Sequence, residues 1–428
     1  MKRNRHRGIS LGTVFMVCFS ALVLAGTLYV LRSLSGSVDL HLTERLNTLD
    51  FSDVLPERKI DEIPIQRSEV TWMPPSVTFA SATPSPAGGE VHLTFGGTIA
   101  AETTVRQSGY YSDSRRYDFS EILSLLSDEI SSDFSMAVME NLVMPDAKVS
   151  DLIVPEAIMG MLSSGKMNAV ALGFGKIYDK GFEGLISTVQ SAQSRGLQVL
   201  GAYMNEGEAA LSNRIMEIGN VKFAVLHYTE TLSSTGNKSI RKDGNSFAVP
   251  LLDQADQDIA LVRSMGAQVV IVSVNWGTAG KTAVTSSQKK QAERLCAAGA
   301  DVIIGNGPRR VQNIERITAL GADGKEHSAL CAYSLGCMLS SSTKTAALQS
   351  ILLHVDISVD VNDHVSVRAT YTPVYIWRYK QENVTRFRLL AANGTVPDGM
   401  TSDQQKKMAS AAATVGTILK DAAAAPRK

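Results

Sequence analysis

Residues 299–315 read Gly-Ala-Asp-Val-Ile-Ile-Gly-Asn-Gly-Pro-Arg-Arg-Val-Gln-Asn-Ile-Glu. Gln288 to Ala298 before them has helical spacing, and Gly299 caps that helix. Asp301 to Gly305 is a short apolar strand that ends in a Gly-Pro loop. The same unit recurs upstream. Asp253 to Met265 reads as a helix and Gln268 to Val274 as a fully apolar strand. Phe182 to Arg195 places Leu185, Val189 and Ala192 on one helical face, and Gly196 stops it. Strands are expected at Glu90–Phe95, Phe134–Val138, Ala169–Leu172, Leu197–Ala202 and Val221–His227. Short apolar strands alternating with amphipathic helices specify an α/β architecture.

From Ser350 to Tyr379 the pattern changes. Leu352, Val355, Ile357 and Val359 precede a second alternating run at Val365, Val367, Ala369 and Tyr371. Asn362-Asp363 lies between them, which reads as an antiparallel hairpin. A strand-rich end on an α/β start points to a layered sandwich rather than a doubly wound sheet. Residues 396–428 are Ala-rich, carry one expected helix at Met408–Leu419, and are expected to fray.

The N-terminus has a different character. Lys2, Arg3, Arg5 and Arg7 lie in a short basic tail, residues 1–8. No charged residue occurs from Ile9 to Leu31. About 20 apolar residues suffice for a helix to cross a bilayer. The basic tail then stays cytoplasmic and the rest is exported. A cleaved signal peptide is the competing reading, but its apolar centre is shorter, about 7–15 residues. The expected location is the cell membrane: a single pass, N-terminus inside, main domain outside. Residues 32–89 read as a stalk, because Pro56, Pro64, Pro74, Pro75, Pro84 and Pro86 favour extended chain. The main domain is expected at 90–395.

Lys plus Arg equal Asp plus Glu at 42 each, so no global charge argues for nucleic acid. Cys296, Cys331 and Cys337 follow the anchor, too few for a disulfide framework. Cys331 and Cys337 are near enough for a bridge, and buried free thiols are the other reading.

Six loops in order resemble the CapA family of poly-gamma-glutamate capsule synthesis proteins, over about Val91 to Leu390. Leu93–Ile99, with Gly96 and Gly97, is similar to the family's opening strand and Gly-Asp loop. Asn141-Leu142-Val143 stands for Asn-Leu-Glu. Leu172–Lys176 with Asp179 and Gly181 resembles Ala-Asn-Asn-His…Asp-x-Gly. Asn275-Trp276-Gly277 resembles His-Trp-Gly. Residues 299–315, with Pro308, Gln312 and Glu315, resemble Gly-Ala-Asp-Val-Val-Ile-Gly-His-His-Pro-His and the Gln-Pro-Ile-Glu that follows. Ser334–Cys337 stands for Ser-Leu-Gly-Asn.

The resemblance implies a calcineurin-like metallophosphatase fold, a four-layer α/β/β/α sandwich, and a role in capsule or cell-envelope polymer assembly. Such phosphatases hold two cations on Asp, Asn and His at strand ends. Here those positions are Gly97, Val143, Phe174, Gly175, Lys176, Asn275, Gly307 and Arg309. The seven histidines, His6, His41, His92, His227, His327, His354 and His364, all lie elsewhere. The expectation is a pseudoenzyme with no metal and no cofactor. Lys176, Asn275, Asn306, Arg309 and Arg310 are the candidate cleft residues for an anionic ligand such as a polymer carboxylate. Capsule-synthesis membrane proteins are the other expected partners. An active hydrolase, phosphatase or transferase with a rearranged site is the alternative. Glu140, Asp179 and Glu315 leave acid–base work open. Ser273, Ser334 and Cys337 lie near strand ends without a motif-level base.

Overall fold

The computed structural model describes residues 88–212, 215–344, 348–362 and 364–427. The expected basic tail and membrane helix, and all but the last two stalk residues, lie outside them. Among the described residues no helix is long and apolar enough to cross a membrane.

Two sheets carry the fold. The larger begins with β1 (Gly89–Ile99), β2 (Phe134–Met139), β3 (Ala169–Ala171) and β4 (Gln198–Leu200). The chain then builds a six-stranded sheet from β5 (Met216–Ile218), β6 (Val221–Thr229), β7 (Val269–Asn275), β8 (Val302–Asn306), β9 (Ile314–Leu320) and β10 (Glu326–Ala332). It returns to the larger sheet with β11 (Cys337–Leu339), β12 (Gln349–Val359), β13 (Val365–Gln381), β14 (Val384–Ala391) and β15 (Ala425–Pro426). The larger sheet runs β14-β13-β12-β1-β2-β3-β4, with β11 on β1 and β15 on β13. The smaller runs β9-β10-β8-β7-β6-β5. The β1–β4 half and the β6-β7-β8-β10 centre are parallel, and β12–β14 are antiparallel.

The period of two sorts each strand between layers. Leu93, Phe95, Phe134 and Met136 of the larger sheet share one apolar layer with Phe223, Val225, Ile271 and Ile304 of the smaller. The intervening residues point outward. Ala137 and Val170 meet helices α1 (Ala157–Ser164) and α2 (Gly181–Gln193). Ala224, Val270 and Ile303 meet α3 (Ala255–Ser264) and α4 (Ser286–Ala298). The chain is therefore a mixed α/β protein whose sheets pack on one another with helices outside. This fits the calcineurin-like α/β fold that the resemblance implies.

The helix before the opening stretch begins two residues earlier than its spacing suggests. Thr285 and Gln288 form a reciprocal capping box there. Gly299 ends it at φ 106°, a left-handed conformation that glycine adopts without strain.

One expectation is corrected, and one left open is settled. Residues 396–428 do not fray within their described part. Helix α5 (Ser402–Ile418) buries Met408, Ala411 and Val415, and Ala425–Pro426 pairs with β13. Alanine there is small enough for close packing rather than a sign of disorder. Cys331 and Cys337 are not bridged; both are buried free thiols, as is Cys296.

Candidate functional site

In the smaller sheet the inward face changes character toward the strand ends. Val225, Ile271 and Val302 sit level with one another. Two residues on come His227, Ser273 and Ile304, and two further Thr229, Asn275 and Asn306. An apolar layer thus gives way to polar side chains at one edge. On the larger sheet the same edge carries Thr98, level with Val138, and then Glu140 and Glu102.

A cavity of about 570 Å³ opens at this edge. Glu102, Glu140, Asp151, Lys176, Asn275 and Arg309 supply its charged and amide groups, with Phe174, Gly277 and Gly307 among its walls. Arg309 dominates the geometry. Its Nε and Nη2 donate to Glu140 Oε2 at 2.8 and 2.5 Å, and its Nη1 donates to Glu102 Oε1 at 3.1 Å. Asn275 Nδ2 donates to the other Glu140 oxygen at 3.0 Å, and the Ser341 N–H donates to Glu102 Oε2 at 3.2 Å. Every carboxylate oxygen of the pair therefore has a donor. Burial opposes the charged guanidinium, but Glu140 and Glu102 outweigh it and hold Arg309 above its usual range. Its backbone sits at φ 54°, a strained conformation for a non-glycine residue.

The structure sorts the candidate residues. Lys176, Asn275 and Arg309 line the cavity. Asn306 lies beside Asn275, buried, with its Oδ1 unpartnered. Arg310 is not a wall residue; its Nη1 donates to the Arg309 carbonyl at 2.8 Å. Lys176 is exposed and has no ion pair among the described residues. Arg309 is not a free cation awaiting an anion, because Glu140 and Glu102 already neutralise it.

The family-loop residues bond chiefly within and between their own loops. Asn141 accepts from the Ala101 N–H and donates to the Asp151 carbonyl. Asp179 accepts from the Ser233 hydroxyl, which caps helix Ser234–Asp243. Gly181 opens α2 at φ 68°. Trp276 donates its indole N–H to the Tyr333 carbonyl at 2.9 Å, and Gly277 N–H donates to Glu230. The Pro308 carbonyl accepts from Gly280 N–H. Gln312 bonds Gln288 and the carbonyls of Lys281 and Ala283. Glu315 accepts from the Tyr333 hydroxyl and the Asn313 amide. At Gly96 a Cβ would strike Met338, and at Gly97 the Gly336 carbonyl at 2.6 Å. Gly97 thus lets β1 and the 334–337 loop close up.

One pairing escaped the sequence. His227 Nδ1 lies 2.9 Å from Ser273 Oγ, and Nε2 lies 2.8 Å from the Gly173 carbonyl. A carbonyl only accepts, so Nε2 carries the proton and Nδ1 accepts from the serine. Burial pushes this histidine down to about 4, so it is neutral near pH 7. Ser273 is fully buried and the imidazole has no carboxylate behind it, so the pair joins β6, β7 and the Gly173 loop rather than attacking substrate. Cys337 is equally sealed. Burial pushes its thiol up to about 12, and it donates to the Leu339 carbonyl. It is no nucleophile in that state.

The donor set does not fit a two-metal centre. Among the described residues no group of three or more His, Cys, Asp or Glu is placed to hold a metal ion. The two carboxylates at the strand ends are spanned by a guanidinium, whose charge repels a second cation.

A family model described as bacterial capsule synthesis protein PGA_cap matches residues 92–342, more than half of the chain. No curated protein matches it.

Proposed function

Because the chain belongs to the family of bacterial capsule synthesis proteins, we propose that it serves capsule or cell-envelope polymer assembly as a membrane-anchored, non-catalytic scaffold. The observation that carries this reading is the guanidinium of Arg309 between Glu140 and Glu102, where hydrolytic relatives of the fold would need metal ions. The basic tail and apolar run of residues 1–31 support the anchor and an extracytoplasmic domain. A narrower version, in which the cavity holds an anionic polymer group, rests on Lys176 alone, since Arg309 is committed.

The test is turnover. Full-length protein in detergent, given Mn²⁺, Mg²⁺ or Zn²⁺, should hydrolyse neither phosphomonoesters nor phosphodiesters. Turnover that disappears in Glu140→Gln would overturn the scaffold reading in favour of a rearranged hydrolase.

A further inference from the structure

The outward face of the larger sheet changes character at the end away from the strand-end cavity. Leu93 and Phe95 point into the layer between the sheets, so His92 and Thr94 take the other face. Register puts Asp356 and Arg368 level with His92, and Ser135, His354 and Thr370 level with Thr94. Two residues farther along this face, Ala137 and Leu352 are apolar and belong to the helix-covered core. Polar side chains on β2, β1, β12 and β13 thus replace the apolar stripe. A cavity of about 520 Å³ opens over them, with His92, Asp133, His354, Asp356, Thr370 and Arg427 among its walls.

Internal hydrogen bonds hold these walls in place. A guanidinium only donates, so Arg427 Nη1 donates to His354 Nδ1 at 3.1 Å. His354 Nε2 then carries the proton and donates to Thr372 Oγ1 at 3.0 Å, whose hydroxyl donates to Glu129 Oε2 at 3.2 Å. The C-terminal strand delivers Arg427. Its N–H donates to the Tyr371 carbonyl at 2.8 Å, and Asn393 Nδ2 donates to its carbonyl at 3.1 Å. His92 Nδ1 donates to Asp356 Oδ1 at 2.8 Å, and the His92 backbone N–H donates to Asp133 Oδ2 at 2.8 Å. Each wall keeps a group unused. The second oxygens of Asp133 and Asp356, His92 Nε2 and the Thr370 hydroxyl have no hydrogen-bond partner among the described residues.

Charge around the opening is balanced. Asp133, Asp356 and Glu129 stand against Arg427, Arg368 and His92, which Asp356 holds above its usual range. A ligand of net charge would leave one of these groups uncompensated. Carboxylate acceptors, a guanidinium and a hydroxyl side by side suit instead a neutral ligand with several hydroxyls, each of which donates and accepts.

We propose that this outer-face cavity is a second ligand site and takes an uncharged sugar residue, with Asp133 and Asp356 accepting from its hydroxyls and Arg427 donating to them. The site is independent of the strand-end cavity and of the scaffold reading.

The experiment titrates full-length protein in a sugar-free detergent at pH 6, by saturation-transfer NMR and calorimetry. The probes are glucose, galactose, mannose, N-acetylglucosamine and N-acetylgalactosamine, tetrasaccharides of glucose and of N-acetylglucosamine, and the charged sugars glucuronate and glucosamine. At least one neutral probe should bind. Binding of a free sugar supports a soluble monosaccharide as the ligand, and binding of a tetrasaccharide alone supports a glycan. Asp356→Asn and Arg427→Gln should each weaken that binding at least about tenfold. Asp133→Asn, at an exposed side chain, reads the same loss if Asp356→Asn does not fold. No neutral probe bound, binding of glucuronate or glucosamine alone, or a sugar bound equally well by the folded variants overturns the site.

Discussion

Arg309→Met, measured by urea unfolding in chelator, should lose about 3 kcal/mol of stability. The Arg309 side chain is 28 % exposed and that of Glu140 10 %. Removing one member of such a pair leaves the other charge desolvated without a partner, at a cost of about 3–5 kcal/mol when fully buried. The partial exposure of Arg309 places the effect at the lower end. Removing both charges behaves differently, because the desolvation cost disappears with the attraction. Arg309→Met/Glu140→Gln should therefore recover most of the loss, with a coupling of about 2 kcal/mol. Additive losses would show that the two side chains do not interact as described.

The second large effect is a loss of stability in mild acid. Burial pushes both His227 and His354 down to about 4, and the Arg427 charge assists at His354. Their unfolded value is about 6.5. Between those values the unfolded chain binds more protons, so stability rises with pH. The contribution is complete above pH about 6.5 and drains away as pH falls toward about 4. It is worth roughly 3 kcal/mol at most for each histidine. Other shifted groups leave this window clear. Asp356 raises His92 and Asp301 raises His327, so their contributions are full below pH about 6.5 and fade above it. Asp151 is lowered by its hydrogen bonds to Thr103, so it contributes above its ordinary value and loses that only in stronger acid. His227→Gln should remove about half the slope between pH 6.5 and 4. An unchanged slope would mean that His227 is not the buried proton acceptor described.

Residues 299–315 were legible because helix, cap and strand follow from local spacing. So were the strand-end loops, whose glycines and prolines mark turns. The long hairpin was legible too, since its alternation survives burial on both faces. The cavity was half legible. Lys176, Asn275 and Arg309 were placed there by loop order, and Glu140 was noted nearby. The pairing of Arg309 with Glu140 and Glu102 was not, because it spans 169 and 207 positions. Nor was His227 with Ser273, which are neighbours only through the parallel register of β6 and β7. Local pattern tells which face a residue takes, not which residue meets it from another strand. The C-terminal helix was legible from Met408 onward but not its start at Ser402 or its docking, because Met408, Ala411 and Val415 form a buried stripe too weakly apolar to stand out.

The central claim is that the chain's own cation, Arg309, occupies the two carboxylates of the strand-end cavity. Metal content is the most direct measurement of it. Full-length protein, purified from cells supplied with Mn²⁺, Fe²⁺ and Zn²⁺, should carry far less than one metal ion per chain by elemental analysis. One or two equivalents, lost on Glu102→Gln/Glu140→Gln substitution, would contradict the account.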